Sequence, residues 1–401
     1  MRKLFFTWLF FAASGFTFAQ QPVDYLLKAK ALLDYGKNVG AVNIITEGLS
    51  RFNNDYRFYL TRADAYAAGG DLKSALADYQ AANTLAGSSG EYGLARLFAR
   101  QSDVTHSLAH LELAINSVFK VTEKEIMLDP SFSKIENTPE WRQFWKKERF
   151  SVTDVKTSEI EYDLSLGKTE DAKNDLQELT QENAGSPGVI YAKALVDLGS
   201  GNTSDCISAL TKLLDSDKGN ESYLRLLAKA RYASGNAAGA SEIYSSLLNS
   251  GIADANLYLL RSECFIRTGE NDKAMKDLDV FLGLYPDNTE GLRLAGKTAS
   301  SSGDNLKALE FFSRNLKLHP NDPECYIDRA NSYFVSRTWE NAISDYSMAL
   351  DIQPSNSDTW LSKGISLVNQ GKKDDACHDF REALNLGNKK ASAYISRYCI
   401  K

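Results

Sequence analysis

Apolar residues recur at spacings of three and four along residues 323–356, with polar residues between them. The apolar positions fall into two groups: Tyr326, Ala330 and Tyr333, then Ala342, Tyr346 and Ala349. Because side chains three and four apart share one face of an α-helix, the segment predicts two amphipathic helices. Pro354 follows the second group, where a proline ends a helix rather than continuing it.

The same 34-residue frame continues on both sides of this segment. Units begin at residues 153, 187, 221, 255, 289, 323 and 357, and a half-unit begins at 391. Position 20 of the seven units holds small residues: Ala172, Cys206, Ala240, Ala274, Ala308, Ala342 and Ala376. Position 15 is glycine in six units and Arg337 in the other, and glycine suits a helix that ends in a left-handed conformation. Seven units without an inserted residue predict a stacked array.

This pattern resembles the tetratricopeptide repeat (TPR). It has small residues at positions 8 and 20, large ones at positions 4 and 24, and proline at position 32 in Pro286, Pro320 and Pro354. The resemblance implies an all-α fold, an α-solenoid of helix-turn-helix repeats. We expect about ten units in two arrays, with a C-terminal capping helix at residues 391–401. The C-terminal array of seven units covers residues 153–390.

An N-terminal array of three units is expected over residues 20–123, with units beginning at 22, 56 and 90. The second unit follows the pattern clearly. The third is degraded, and the frame places Ala109 at its position 20 and Leu113 at its position 24.

Residues 124–152 break the frame and form an aromatic end-piece or linker between the arrays. Thr138 and Pro139 fit the start of a helix on which Trp141 and Trp145 share a face. These aromatic side chains either cover the end of the third unit or form a docking surface for a partner. We favour the covering role because the end of an array must be shielded from water.

Residues 1–19 are expected to be a secretory signal peptide. Arg2 and Lys3 precede an apolar run that ends at Thr17-Phe18-Ala19, which resembles a cleavage site. The run is short for a membrane span, and no later stretch is apolar enough to cross a membrane. We therefore expect an exported protein, periplasmic or associated with the outer envelope.

The remaining composition offers little catalytic chemistry. The net charge of −6 becomes more negative once the signal peptide is removed, which argues against a nucleic-acid partner. His106 and His110 are four residues apart, but this spacing alone is weak evidence for a metal, and we expect neither a metal nor a cofactor. No phosphate loop or nucleophile motif occurs, so we expect the protein not to be an enzyme.

Five cysteines lie beyond the signal peptide, and buried free thiols are our default expectation for all of them. A bridge between Cys377 and Cys399 is the alternative, because the terminal helix should pack beside the last unit.

The TPR resemblance also implies that the first helices of the units line a concave groove, through positions near 2, 5, 9 and 12. In the C-terminal array, a basic strip suited to a carboxylate or an acidic peptide is expected there. The predicted partner-binding residues of the groove are Arg225, Lys229, Tyr232, Glu263, Arg293, Lys297 and Asn331. Trp141 and Trp145 are the second candidate surface.

We therefore expect an exported scaffold or adaptor that binds a protein or peptide partner, in envelope assembly or secretion. A periplasmic assembly chaperone that binds extended client segments is one alternative. A regulatory subunit of an enzyme is another. The sequence names neither the partner nor the oligomeric state.

Overall fold

The structure is a computed structural model that describes residues 21–399, apart from the side chains of Glu182 and Asn183. The predicted signal peptide lies outside the described residues. Within them the chain forms 23 α-helices and a 3-10 helix, without a strand. None of these helices combines the length and the apolar character needed to cross a membrane. The chain divides into two compact units.

The first unit contains the described residues 21–121 and 126–147. Its helices are α1 (Pro22–Asp34), α2 (Asn38–Leu49), α3 (Tyr56–Gly69), α4 (Leu72–Leu85), α5 (Glu91–Arg100) and α6 (Val104–Ile115). Helix α7 (Glu123–Leu128) crosses the division between the units, and a 3-10 helix (Pro130–Phe132) and α8 (Pro139–Phe144) complete the first unit.

The second unit contains residues 122–125 and 148 onward. Its helices are α9 (Val152–Ser165), α10 (Thr169–Asn183), α11 (Pro187–Gly199), α12 (Thr203–Ser216), α13 (Glu221–Ala233), α14 (Ala237–Asn249), α15 (Asn256–Thr268), α16 (Asn271–Leu284), α17 (Thr289–Ser301), α18 (Asn305–Leu318), α19 (Pro323–Val335), α20 (Trp339–Ile352), α21 (Ser357–Asn369), α22 (Lys373–Asn385) and α23 (Ala391–Tyr398).

Helices α9 to α22 are seven consecutive helix pairs in the predicted frame. Their second helices begin at residues 169, 203, 237, 271, 305, 339 and 373, at the repeat interval. All seven residues at position 20 are completely buried, as the close helix approach requires. The α-solenoid expected from the sequence is confirmed.

The turn between the two helices of each pair uses a left-handed residue. Six predicted glycines at position 15 have positive φ, from 73° at Gly167 to 91° at Gly235. Arg337, which replaces glycine in the sixth pair, also adopts this conformation, with φ of 58°. An L-residue is disfavoured there because its Cβ approaches the backbone. The fold therefore imposes this conformation even without glycine.

The frame predicted for the third N-terminal helix pair is wrong by two residues. The turn after α5 lies at Ser102, with φ of 61°, and α6 begins at Val104. Ser107 and Leu111 are consequently fully buried at the places that the frame gave to Ala109 and Leu113, which are exposed. The first helix of this pair, α5, has only ten residues and is shorter than the other first helices. The 34-residue interval alone does not reveal this difference.

The aromatic side chains of the end-piece pack within the first unit. Thr138 caps α8 by accepting a hydrogen bond from the backbone NH of Trp141, as predicted. Trp141 is 6% exposed, and its ring lies 5.2 Å from that of Phe132, which in turn lies 6.2 Å from Tyr92 of α5. These contacts support the covering role over the docking role.

A disulfide closes the C-terminal end of the second unit. Cys377 on α22 is bonded to Cys399, the residue after α23. The expectation of five free thiols is therefore wrong for this pair, although it holds for Cys206, Cys264 and Cys325, which are buried and unpaired. The bridge forms because α23 packs on α22, with the Tyr394 ring tilted against that of Phe380 at 5.2 Å.

Candidate functional site

A cavity of about 520 Å³ lies on the first helices of the second unit. It is lined by α9, α11 and α13 through Glu161, Leu164, Ser165, Tyr191, Leu195, Leu198, Gly199, Ser222, Arg225, Leu226 and Lys229. We call this surface the α9–α13 groove.

The repeat itself directs these side chains into the groove. In each pair, position 8 of the first helix and position 20 of the second are buried between helices, as Ala228 and Ala240 are in the third pair. Positions 5, 9 and 12 of the first helix lie beside this buried contact, on the side of the helix that lines the cavity. In α11 these positions are Tyr191, Leu195 and Leu198, and all three line the cavity. The groove therefore lies where the resemblance implied.

One wall of the groove is aromatic and acidic. The Tyr191 ring lies 5.3 Å from that of Tyr223, and its hydroxyl donates a hydrogen bond to Glu161, 3.4 Å away. Burial, together with the nearby Glu161 carboxylate, raises the pKa of Tyr191, so its hydroxyl remains a donor at neutral pH. Leucines at positions 9 and 12 provide an apolar floor beside this pair.

The other wall carries two cations, of which one is ion-paired and the other is not. Arg225 is bound by two acids, Glu221 at 2.7 Å and Asp254 at 2.8 Å. Lys229 is exposed and forms no ion pair with any residue that the structure describes. Lys229 is therefore the cation of this groove with the most charge left for a ligand.

The remaining residues of the predicted strip are mostly committed to neighbours. Arg293 binds Glu290 through two hydrogen bonds of 2.9 Å, and Lys297 pairs with Asp328 at 3.3 Å. Desolvation and the nearby Glu290 carboxylate raise the pKa of the half-buried Glu263. These acids offset much of the positive charge that the sequence alone suggested.

Two further predicted groove residues contact their own repeat or the next one. Asn331 accepts a hydrogen bond of 2.7 Å from the Tyr346 hydroxyl, and the Tyr232 ring lies 4.9 Å beneath Arg267. The binding role of these residues, and that of Trp141 and Trp145, stays a prediction.

A recurring ion pair was missed at the level of sequence. Four helix pairs join a cation at position 7 to an aspartate at position 23: Arg62–Asp78, Arg261–Asp277, Arg329–Asp345 and Lys363–Asp379. The three arginine pairs have contacts of 2.7 Å, and all four aspartates are buried. The signal was present as a basic and an acidic residue sixteen positions apart, repeated at the unit interval.

The two histidines and the three free cysteines singled out in the sequence are held by neighbours or buried. His106 and His110 both stack on Phe98, but His106 contacts Asp103 and His110 contacts Glu91. Burial raises the pKa of the Cys206, Cys264 and Cys325 thiols to about 11, so they stay protonated. Across residues 21–399, no cluster of three or more potential metal ligands occurs.

A comparison with protein-family models supports the repeat seen in the helix pairs. The family model described as "Tetratricopeptide repeat" matches residues 225–289. This stretch covers the C-terminal part of α13 and continues to the start of α17. The helix pairs and this match together identify tetratricopeptide repeats in the chain.

Several solved structures are similar to this chain. A tetratricopeptide repeat protein from Parabacteroides merdae is 16% identical, with a TM-score of 0.48, covering 62% of this chain and 98% of its own. The APC/C hetero-tetramer Cut9–Hcn1 is 14% identical, with a TM-score of 0.48 and coverages of 95% and 97%. YrrB is 14% identical, with a TM-score of 0.40 and coverages of 48% and 99%. A search of curated proteins found no match.

Proposed function

We propose that this protein is an exported, non-catalytic adaptor that binds an extended segment of a partner protein in the α9–α13 groove. The cavity lined by positions 5, 9 and 12 of successive first helices carries this proposal. Its leucine floor, the Tyr191 ring and the exposed Lys229 suit a chain with apolar and acidic side chains. Rigid helices cost little ordering entropy on binding, which favours affinity.

Export is proposed on two separate features. The first 19 residues have the composition of a signal peptide. The Cys377–Cys399 disulfide is of the kind that persists in oxidising compartments. Mass measurement of the mature chain tests the first feature, since cleavage after Ala19 leaves Gln20 as the first residue. A full-length chain recovered from the cytoplasmic fraction would refute export.

The binding proposal is tested by affinity purification from the native envelope fraction. The Lys229→Glu variant should lose a partner that the unchanged protein retains, because it reverses the charge at the groove. Lys212→Glu is the matched control, since Lys212 is an exposed lysine on the second helix α12. Equal recovery by both variants would refute the groove as the binding surface. Many unrelated proteins recovered in place of a stoichiometric partner would favour the chaperone alternative.

A further inference from the structure

The disulfide of the second unit joins two sulfurs that lie in different surroundings. Cys377 lies on α22 and is 8% exposed, whereas Cys399 follows the last residue of α23 and is half-buried. Which sulfur an incoming thiol attacks depends on access. Cys399 is therefore the sulfur that an external thiol reaches more readily. The inference below uses no residue of the α9–α13 groove.

The helix that the disulfide fastens, α23, has few other attachments. It has eight residues, and Ala391 is the one among them that is fully buried. The Tyr394 ring lies 5.2 Å from that of Phe380 on α22. In the turn before α23, Asn388 donates a hydrogen bond of 2.7 Å to Asp358 of α21. Because so short a helix is not stable alone in water, the disulfide is the link that most restricts α23.

This helix covers an apolar face of α22. Residue 391 begins a new unit at the repeat interval, so α23 stands where the first helix of another pair would pack. Phe380 and Ala383 of α22 are completely buried. The Phe380 ring lies against Gly364 of α21 and against Tyr394 of α23. Departure of α23 therefore exposes the Phe380 ring to water.

The three free cysteines do not supply a thiol for this disulfide. They are at most 3% exposed, and they lie on α12, α15 and α19, away from the helices α21 to α23 that surround the bridge. Burial raises the pKa of each of these thiols to about 11, so the reactive thiolate is scarce at neutral pH. Exchange at the disulfide therefore requires a thiol from outside the protein.

We propose that the Cys377–Cys399 disulfide is a redox latch on α23, opened by a low-molecular-weight thiol that attacks Cys399. The attacking thiolate forms a new S–S bond with Sγ of Cys399, and the old bond breaks with its electron pair passing to Sγ of Cys377. The Cys377 thiolate then takes a proton from water. A second molecule of the thiol attacks the mixed disulfide, which leaves Cys399 reduced and yields the small-molecule disulfide. The first step already releases α23, since the link between the two helices is lost there.

The site of attack is tested by trapping the mixed disulfide on the folded mature chain. The protein is exposed briefly to reduced glutathione, quenched with N-ethylmaleimide under native conditions and digested for peptide mass spectrometry. We expect glutathione on Cys399 and N-ethylmaleimide on Cys377. The buried free cysteines are the internal control and should stay unlabelled. The reverse arrangement, or a disulfide that reacts only after urea has unfolded the chain, would overturn the proposal.

The release of α23 is measured by hydrogen exchange under the same conditions. Glutathione should speed amide exchange in α23 by about tenfold or more while exchange in α19 stays unchanged, because only α23 loses its attachment. Reoxidation should restore the protection. Amides of α23 that stay protected once the disulfide is reduced would overturn the latch.

The movement of α23 in this reaction is tested with Tyr394→Ala. This change removes the ring that packs on Phe380, so it should raise the rate of the glutathione reaction by about threefold or more. Tyr162→Ala is the matched control and should leave the rate unchanged, since Tyr162 is an exposed tyrosine on α9 of the same unit. Circular dichroism verifies that both variants retain their helices. Equal rates in the two variants and the unchanged protein would contradict the latch.

Discussion

At the scale of single residues, Arg337 shows how the repeat overrides local preference. The six other helix pairs of the second unit use glycine in this turn, and Arg337 adopts the same left-handed backbone. The Arg337 side chain is exposed, so arginine at this turn gains no evident packing over glycine.

Arg337→Gly should therefore stabilise the protein by about 1 kcal/mol, since glycine carries no Cβ penalty in this conformation. The reverse change at the matched turn, Gly303→Arg, should lower stability by a similar amount, because Gly303 has φ of 83°. Urea unfolding followed by circular dichroism measures both. A loss of stability in Arg337→Gly would show that the arginine side chain has an unrecognised stabilising role.

The buried ion pair between Arg329 and Asp345 is a second residue-scale feature. The Asp345 side chain is 7% exposed and receives two hydrogen bonds from the guanidinium, at 2.7 and 2.8 Å. Arg329→Met should destabilise the protein by about 3 kcal/mol, because it leaves a buried carboxylate without its partner.

Replacing both residues should recover part of this loss, since Arg329→Met with Asp345→Leu removes the buried charge as well. The exposed pair Arg314–Asp287 provides the control, and Arg314→Met should cost less than about 1 kcal/mol. Urea midpoints of the single and double variants give the coupling energy. Additive losses would contradict the inferred pairing.

At the scale of elements, the contact between the two helices of a pair depends on position 8. Gly296 and Gly364 occupy this position and face the rings of Phe312 and Phe380. A Cβ built on either glycine would lie 2.4 Å or 2.6 Å from a ring carbon, respectively. Where the aromatic ring fills this space, even alanine is too large.

Gly296→Ala and Gly364→Ala should each destabilise the protein by about 1–3 kcal/mol through overpacking. Gly283→Ala is the control, since Gly283 lies in α16 and its added methyl would meet nothing within 4 Å. That change should be neutral or stabilising by up to about 1 kcal/mol, because alanine favours a helix. Equal effects at the three sites in urea unfolding would disprove the ring contact.

The sequence predicted elements well where every unit shares the interval. The second helices of the C-terminal array begin at the predicted spacing because position 20 must be small in each pair. The third N-terminal pair was mispredicted because the turn after α5 comes two residues early. Ser107 therefore occupies the buried position that was assigned to Ala109. A repeat interval reveals a deletion only when it places polar residues at buried positions, and here it placed the apolar Ala109 and Leu113 there.

At the scale of the whole molecule, the terminal disulfide fastens the last helix to its array. The eight-residue α23 packs its one fully buried residue, Ala391, against the last pair. A short helix with so little buried surface depends on tertiary attachment. Cysteine spacing alone could not predict the bridge, because its formation depends on how α23 lies against α22.

Cys399→Ser should therefore increase amide hydrogen exchange in α23 by an order of magnitude or more, while exchange in α19 stays unchanged. A reducing agent should have the same effect on the unchanged protein and no further effect on the variant. Protected α23 amides in the variant would show that packing alone holds this helix.

The groove was predicted less completely than the fold. The frame indicated which positions face it, and Tyr191, Arg225 and Lys229 do line one cavity. The acidic partners of its cations could not be predicted from the sequence. Asp254 lies just before α15 and Asp328 lies on α19, so each pairs with a cation of the preceding helix pair. Because acids of one helix pair neutralise cations of a neighbouring pair, basic residues counted along the sequence overestimate the positive charge of the groove.

The most direct test of the account is photo-crosslinking from within the α9–α13 groove. A benzophenone amino acid would replace Lys229 in one protein and the exposed Lys212 of α12 in another, both expressed in the native cell. The account predicts a discrete adduct with a partner protein from position 229 and none from position 212. Adducts of equal yield from both positions, or none from position 229, would contradict the groove as the binding site.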